Sequence, residues 1–101
     1  MDTNTFNNII EKQIERSTSV LVNKAQEYAT DNDRLHNFKA AAALRGISVR
    51  DALAGMMLKH TVSIYDMCNT NLEYTEAVWN EKITDHINYL LLLRAVIEEN
   101  K

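Results

Sequence analysis

Hydrophobic positions recur along this chain at helical spacing, and no stretch alternates with the two-residue period of a strand. Phe6, Ile9, Ile10 and Ile14 open the series, and Val20 and Leu21 continue it beyond the Ser17, Thr18, Ser19 cluster. This predicts one long helix with a soft spot, or two helices, ending near Ala29. There Thr30, Asp31, Asn32 and Asp33 supply the side chains that favour turns and helix caps. A second helix carries Leu35, Phe38, Ala41, Ala42 and Leu44, and Gly46 stands where a left-handed stop is expected. Ser48, followed three residues later by Asp51, resembles a capping box with aspartate in the usual glutamate place, so a third helix begins there and runs to about Cys68. Its apolar residues, Leu53, Met56, Met57, Leu58, Val62, Ile64 and Met67, point almost all round the axis, the pattern of a helix enclosed by neighbours. A loop from Asn69 to about Tyr74 leads to a last helix whose apolar face is Trp79, Ile83, Ile87, Leu90 and Ile97. The expectation is an all-α protein, a compact bundle of four to five helices forming a single domain over residues 1–101.

Composition adds a partner to this picture. The chain has 101 residues, no proline and two glycines, with no shift that would mark a second domain. Hydrophobic residues make up 46% of it, more than so small a domain readily buries by itself, so copies of the chain are expected to pair as a homodimer or homotetramer. Fourteen acidic and eleven basic side chains give a net charge of -3, with the basic residues scattered. That disfavours a nucleic-acid polymer as partner, which needs a concentrated positive face, but leaves room for a small anionic ligand held by two or three cations. Cys68 is the only cysteine, which excludes an internal disulfide and a cysteine metal pair; it reads as a small buried hydrophobe in a reducing cytoplasm. Met1 to Asn8 lack the basic and apolar regions of a secretion signal, and the Tyr89 to Leu93 cluster is too short to cross a membrane, so no membrane association is expected.

Several polar residues are not accounted for by packing. Lys59, Ser63 and Asp66 sit at i, i+4 and i+7 on an otherwise apolar helix, and Glu81, Asp85 and Asn88 repeat that spacing on the next. If the two helices are antiparallel neighbours, the rows face one another across an internal polar slot. Otherwise Lys59 pairs with Asp66 or Asp85 and both rows lie at the solvent edge. A second concentration lies at the first turn between helices. Arg34 is suited to fork onto a phosphate, Asn37 to read donor and acceptor edges, Tyr28 to stack on a base or ribose, and Lys24 to add charge. The plainer reading pairs Arg34 with Asp31 or Asp33 and puts Phe38 in the core. His36, His60 and His86 lack the spacing of a helical metal clamp, although His60 stands beside Lys59 where it could contact a ligand. No nucleophile motif or glycine-rich phosphate loop is present, so no catalytic residue is assigned.

The order of these features, Lys24 to Tyr28, then Asp33-Arg34-Leu35-His36-Asn37-Phe38, Met57-Leu58-Lys59-His60 and Glu81-Lys82-Ile83-Thr84-Asp85-His86-Ile87-Asn88-Tyr89, resembles small phage proteins related to the MazG-like all-α nucleoside triphosphate pyrophosphohydrolases. The resemblance implies a helical bundle that dimerises or forms tetramers. It also implies a magnesium cofactor held by an E-x-x-E pair on one helix and an E-x-x-D pair on the next, positioning a water that cleaves between the α and β phosphates. Asp85 matches the final aspartate, followed by Asn88 and Tyr89. Lys82 stands where the partner glutamate is expected, with Glu81 adjacent, and the earlier helix has no E-x-x-E. Asp66, Glu81 and Asp85 could hold one ion at best, short of two-metal chemistry. The expectation that follows is a phage-encoded protein in the host cytoplasm that captures a nucleotide or nucleotide-derived immune signal between helices at a subunit interface, without efficient hydrolysis. The alternatives are a magnesium-dependent pyrophosphohydrolase and a protein-binding helical module.

Overall fold

The computed structural model describes the backbone of residues 1–28 and 33–101, and the side chains of the same residues apart from 24–28. Among them run four helices: α1 (Thr3–Tyr28), α2 (His36–Arg45), α3 (Val49–Cys68) and α4 (Glu76–Glu99). The protein is therefore all-helical, as the periodicity predicts. No helix among the described residues is long and apolar enough to cross a membrane.

Local chemistry accounts for most helix ends. Asp2 opens α1 by accepting the Thr5 N–H on its carboxylate at 2.7 Å and the Phe6 N–H on its carbonyl at 3.0 Å. The Ser17, Thr18, Ser19 cluster does not break α1. Thr18 donates its hydroxyl back to the Ile14 carbonyl at 2.9 Å and Ser17 is buried against α4, so their hydroxyls are satisfied without leaving the helix. Of the expected Thr30 to Asp33 turn, only Asp33 lies among the described residues; its carboxylate accepts the Leu35 N–H at 2.9 Å and leads the chain into α2. Gly46 ends α2 at φ 67°, a left-handed conformation that glycine adopts without a Cβ penalty, while the Ile47 N–H returns to the Ala42 carbonyl. Ser48 caps α3 by accepting the Asp51 N–H at 3.1 Å, and Thr75 caps α4 by accepting the Val78 N–H at 3.2 Å.

α4 is the central helix. α3 runs antiparallel along it, since Thr61 meets His86 while the preceding His60 meets Tyr89. α1 packs on another side and runs parallel to it, with Gln13 against Thr84 and, farther along, Leu21 sharing a cavity with Leu91 and Leu92. The short α2 packs on α3. The apolar core gathers where α2, the start of α3 and the second half of α4 meet: Leu35, Phe38, Leu53 and Val96 are buried, with Met56, Tyr89, Leu92 and Leu93 packed against them. Lys39 ties this end shut by bridging Asp33 at 2.7 Å and Glu99.

Three sequence expectations change here. The apolar face read for α4 is not the buried one: its buried residues are Thr84, Asn88 and Val96, whereas Ile83 is 37% and Leu90 52% exposed. α4 has apolar residues on more than one side, and the side bearing Tyr89, Leu92, Leu93 and Val96 is the one that meets the core. Cys68 is exposed instead of buried, because it is the last residue of α3 and the neighbouring Met67 takes the inward position. α3 is also not enclosed within a single chain: Leu53 and Met67 are buried, while Leu58 and Val62 face outward.

Candidate functional site

The two polar rows fall on the antiparallel pair α3 and α4, but they are graded in depth. On α4, Glu81 is exposed, Asp85 half-buried and Asn88 buried; on α3, Lys59 and Asp66 are exposed and Ser63 half-buried. The helix turn places Ser63 four residues beyond Lys59 and seven beyond Met56, on the continuation of a surface whose first part is packed in the core. Next to Lys59 along α3, His60 and Thr61 meet α4 directly.

The His60 ring lies 4.8 Å from the Tyr89 ring at a tilt of 39°, and Tyr89 in turn meets Phe38 edge-on with centroids 6.4 Å apart. Phe38 is thus a core residue, in keeping with the plainer reading of its corner. Burial pushes the His60 imidazole below its ordinary value, opposed by the Asp85 carboxylate and reinforced by Lys59, Lys82 and His86. Burial, then the same carboxylate, pushes the Tyr89 phenol up. His60 is consequently a neutral aromatic group at pH 7, and Tyr89 keeps its hydroxyl proton. A second link between the helices joins the Thr61 hydroxyl and His86 Nε2 at 3.0 Å.

On the α1 side of α4 lies a buried polar layer that sequence reasoning missed. Gln13 donates from Nε2 to the Thr84 hydroxyl oxygen at 2.9 Å and to the Ser17 hydroxyl oxygen at 3.1 Å, and Arg16 donates to Gln13 Oε1 at 3.5 Å. Ser17 and Thr84 are both almost fully buried. The signal was present in the sequence: Phe6, Ile10, Gln13, Ser17 and Val20 form one row at spacings of four and three, so two polar residues interrupt an apolar stripe.

Asn88 stands one turn beyond Thr84. It is only 6% exposed, and among the described residues its Oδ1 has no hydrogen-bond partner. Nearly all buried polar atoms in folded proteins are paired, and leaving an acceptor unsatisfied costs about 1–3 kcal/mol. Asn88 is therefore an acceptor shielded from bulk water and set between the Gln13 layer and the Asp85, Tyr89 and His60 group.

The proposed magnesium ligands are not brought together. Among the described residues no three histidine, cysteine, aspartate or glutamate side chains converge closely enough to hold an ion, so Asp66, Glu81 and Asp85 do not fit one. Glu81 and Asp66 both point to solvent from the rims of their helices.

The residues of the first helical corner form a separate place. Arg34 donates from Nη2 to the Leu21 carbonyl at 3.0 Å; Asp33 pairs with Lys39, and Asp31 lies outside the described residues. Arg34 lines an open cavity of about 450 Å³ with Leu21, Val22, Leu91, Leu92, Ala95, Asp33, Leu35 and Glu99. None of Lys59, His60, Ser63, Asp85 and Asn88 borders it. Asn37 is exposed on the first turn of α2, and the side chains of Lys24 and Tyr28 lie outside the described residues. Among the described residues expected to share one ligand, Arg34 thus borders a cavity that the α3–α4 group does not line.

Comparison of the chain with protein-family models, with curated proteins and with solved structures finds no match in any of the three.

Proposed function

We infer that this chain binds a nucleotide at the α3–α4 surface beside Asn88 and holds it without efficient hydrolysis. The observation that carries this reading is the buried, unpartnered Oδ1 of Asn88. A ligand amino group arriving there gains a full hydrogen bond and removes a penalty already present in the free protein. The exocyclic amine of a base is such a donor. The surroundings suit the rest of a nucleotide. His60, uncharged at neutral pH, and Tyr89 offer an aromatic wall, and Ser63 offers a half-buried hydroxyl. Asp85 would repel phosphate and accept from a ribose hydroxyl, so the phosphates belong at the exposed rim, where Lys59 supplies a cation.

The experiment is thermal melting of the purified chain against nucleoside triphosphates, cyclic dinucleotides and ADP-ribose derivatives, with and without magnesium, followed by chromatography of the recovered ligand. A ligand that raises the melting temperature, is recovered intact, and loses its effect in Asn88→Ala supports capture at this position. Recovery as monophosphate and pyrophosphate would replace capture by hydrolysis. A panel without any shift would remove nucleotide binding altogether.

A further inference from the structure

An acceptor must be reachable before it can take a ligand, and Asn88 Oδ1 is not. It is sealed from solvent as well as unpaired among the described residues. What covers it follows from the register of α1 against α4. The two helices run parallel, Gln13 bonds Thr84, and Ser17 and Asn88 stand one turn farther along each. Both are buried, at 2% and 6% exposure. One turn beyond Asn88, Leu91 and Leu92 meet Leu21 and Val22 around the cavity of about 450 Å³, which Ala95 also lines. Thr84, Asn88, Leu91 and Ala95 thus form one row, the α4 side of the seam with α1, and α1 is the cover over Asn88.

That cover is lightly held. Among the described residues α1 packs on α4 and on no other helix, and none of its side chains joins the core of Leu35, Phe38, Leu53 and Val96. Residues 1–12 are exposed throughout, Phe6, Ile9 and Ile10 included, and Ser17 is the only buried side chain described on α1. Apolar burial supplies most of the cohesion between packed helices, and this seam has little of it. It presents a glutamine bonded to a threonine at one level, a serine and an asparagine at the next, and an open cavity at the third. Hydrogen bonds add little to its hold, because water replaces them when the helices part. A segment with few buried apolar contacts opens at a lower free energy than the whole fold. The C-terminal part of α1 is tethered, since Arg34 donates to the Leu21 carbonyl at 3.0 Å.

We propose that α1 is a movable strap over Asn88. It swings away from α4 about its Arg34-tethered end while α2, α3 and α4 stay packed, and the Asn88 acceptor then lies open to a ligand amino group. Opening exchanges the Gln13–Thr84 bond for bonds to water and hydrates the unpaired Asn88 oxygen, so the penalty in the closed state favours the open one. The proposal rests on the nucleotide reading only for what enters; the opening belongs to the free protein and is tested without ligand.

The test uses two single-thiol proteins, Asn88→Cys and Val96→Cys, each combined with Cys68→Ser because Cys68 is exposed and is the only cysteine. Their reaction with a chromogenic disulfide reagent is followed in native buffer, and each rate is referred to that variant's own stability from urea titration. Val96 is 2% exposed within the core and reports unfolding of the whole chain. Ala52→Cys, at a 1% exposed position on α3, replaces it should Val96→Cys fail to fold. The Asn88→Cys thiol reacts faster than the core thiol by about tenfold or more, and its rate rises less steeply with urea, because opening α1 exposes less surface than unfolding does. Hydrogen exchange of the unmodified chain adds a measurement free of substitutions, in which the amides of α1 exchange ahead of those of α3 and α4. Equal reactivity and equal urea slopes for the two thiols, or α1 exchanging in step with α4, would overturn the strap. If both results hold while no nucleotide raises the melting temperature, the strap stands and the nucleotide reading falls.

Discussion

Replacing Asn88 by leucine separates a functional polar group from a structural one. The two side chains have the same number of heavy atoms and the same branching, so the substitution opens no cavity, and the extra bulk of the two leucine methyl groups is the one packing cost set against the gain. What changes is that a buried acceptor without a partner becomes an apolar group in a nine-tenths buried position. Removing the unsatisfied acceptor returns about 1–3 kcal/mol. For a domain of this size each kcal/mol moves the melting temperature by about 4–8 °C, so Asn88→Leu is expected to melt at least 4 °C higher than the unmodified protein in the absence of ligand. The gain in stability is accompanied by loss of the ligand-dependent shift, which at a ligand concentration of about 100 times Kd amounts to about 2.7 kcal/mol in the unmodified protein. Differential scanning calorimetry of both proteins, with and without the ligand that the melting panel identifies, measures the two effects together. A variant destabilised by more than about 1 kcal/mol would refute the reasoning, because Asn88 would then be contributing to the fold instead of opposing it.

Three further outcomes are expected. His60 has its proton affinity lowered by burial, so its contribution to stability is complete above the ordinary imidazole pKa of about 6.5 and is lost as pH falls from there through the lower folded value; melts from pH 7.5 to 5 should decline more steeply for the unmodified protein than for His60→Gln. Thr84→Val removes the oxygen that Gln13 donates to and should lower stability by about 0.5–1.5 kcal/mol, while the double variant with Gln13→Leu should recover part of that loss; strict additivity in urea titrations would show that the 2.9 Å bond contributes nothing. Thr75→Ala should lower the urea midpoint by the equivalent of about 0.5–2 kcal/mol through loss of the α4 cap, and Thr75→Asn should restore most of it.

The candidate site was legible in its parts and not in its grouping. Asp85 and Asn88 were identifiable as polar residues on an apolar helix, and the structure places both inward. Lys59 was singled out with them by the i, i+4, i+7 rule, yet it is His60, one residue on, that meets α4: 100° of helix rotation separates a rim residue from a contact residue. Arg34 and Asn37 were joined to this group by chemical suitability alone. Their distance from it depends on how α2 is carried past the end of α1, which no local pattern specifies. The Gln13 layer was overlooked because a glutamine and a serine in a long polar-rich helix look like surface residues until the partner, Thr84, is known.

By itself the sequence determined where helices begin and end. Gly46 permits the left-handed turn, and Ser48 and Asp2 satisfy the first free N–H groups of the helices that follow them, through contacts within four residues. It also determined that the chain is all-helical, because the apolar spacing admits no strand. Only the tertiary structure decided which side of α4 is inside. That choice is made by residues far along the chain: Gln13 bonds Thr84 across 71 positions, and Phe38 and Leu53 draw Tyr89 and Val96 inward. α4 carries apolar residues on more than one face, so its own periodicity cannot rank them, and the face that wins is the one whose partners α1, α2 and α3 are already arranged to supply.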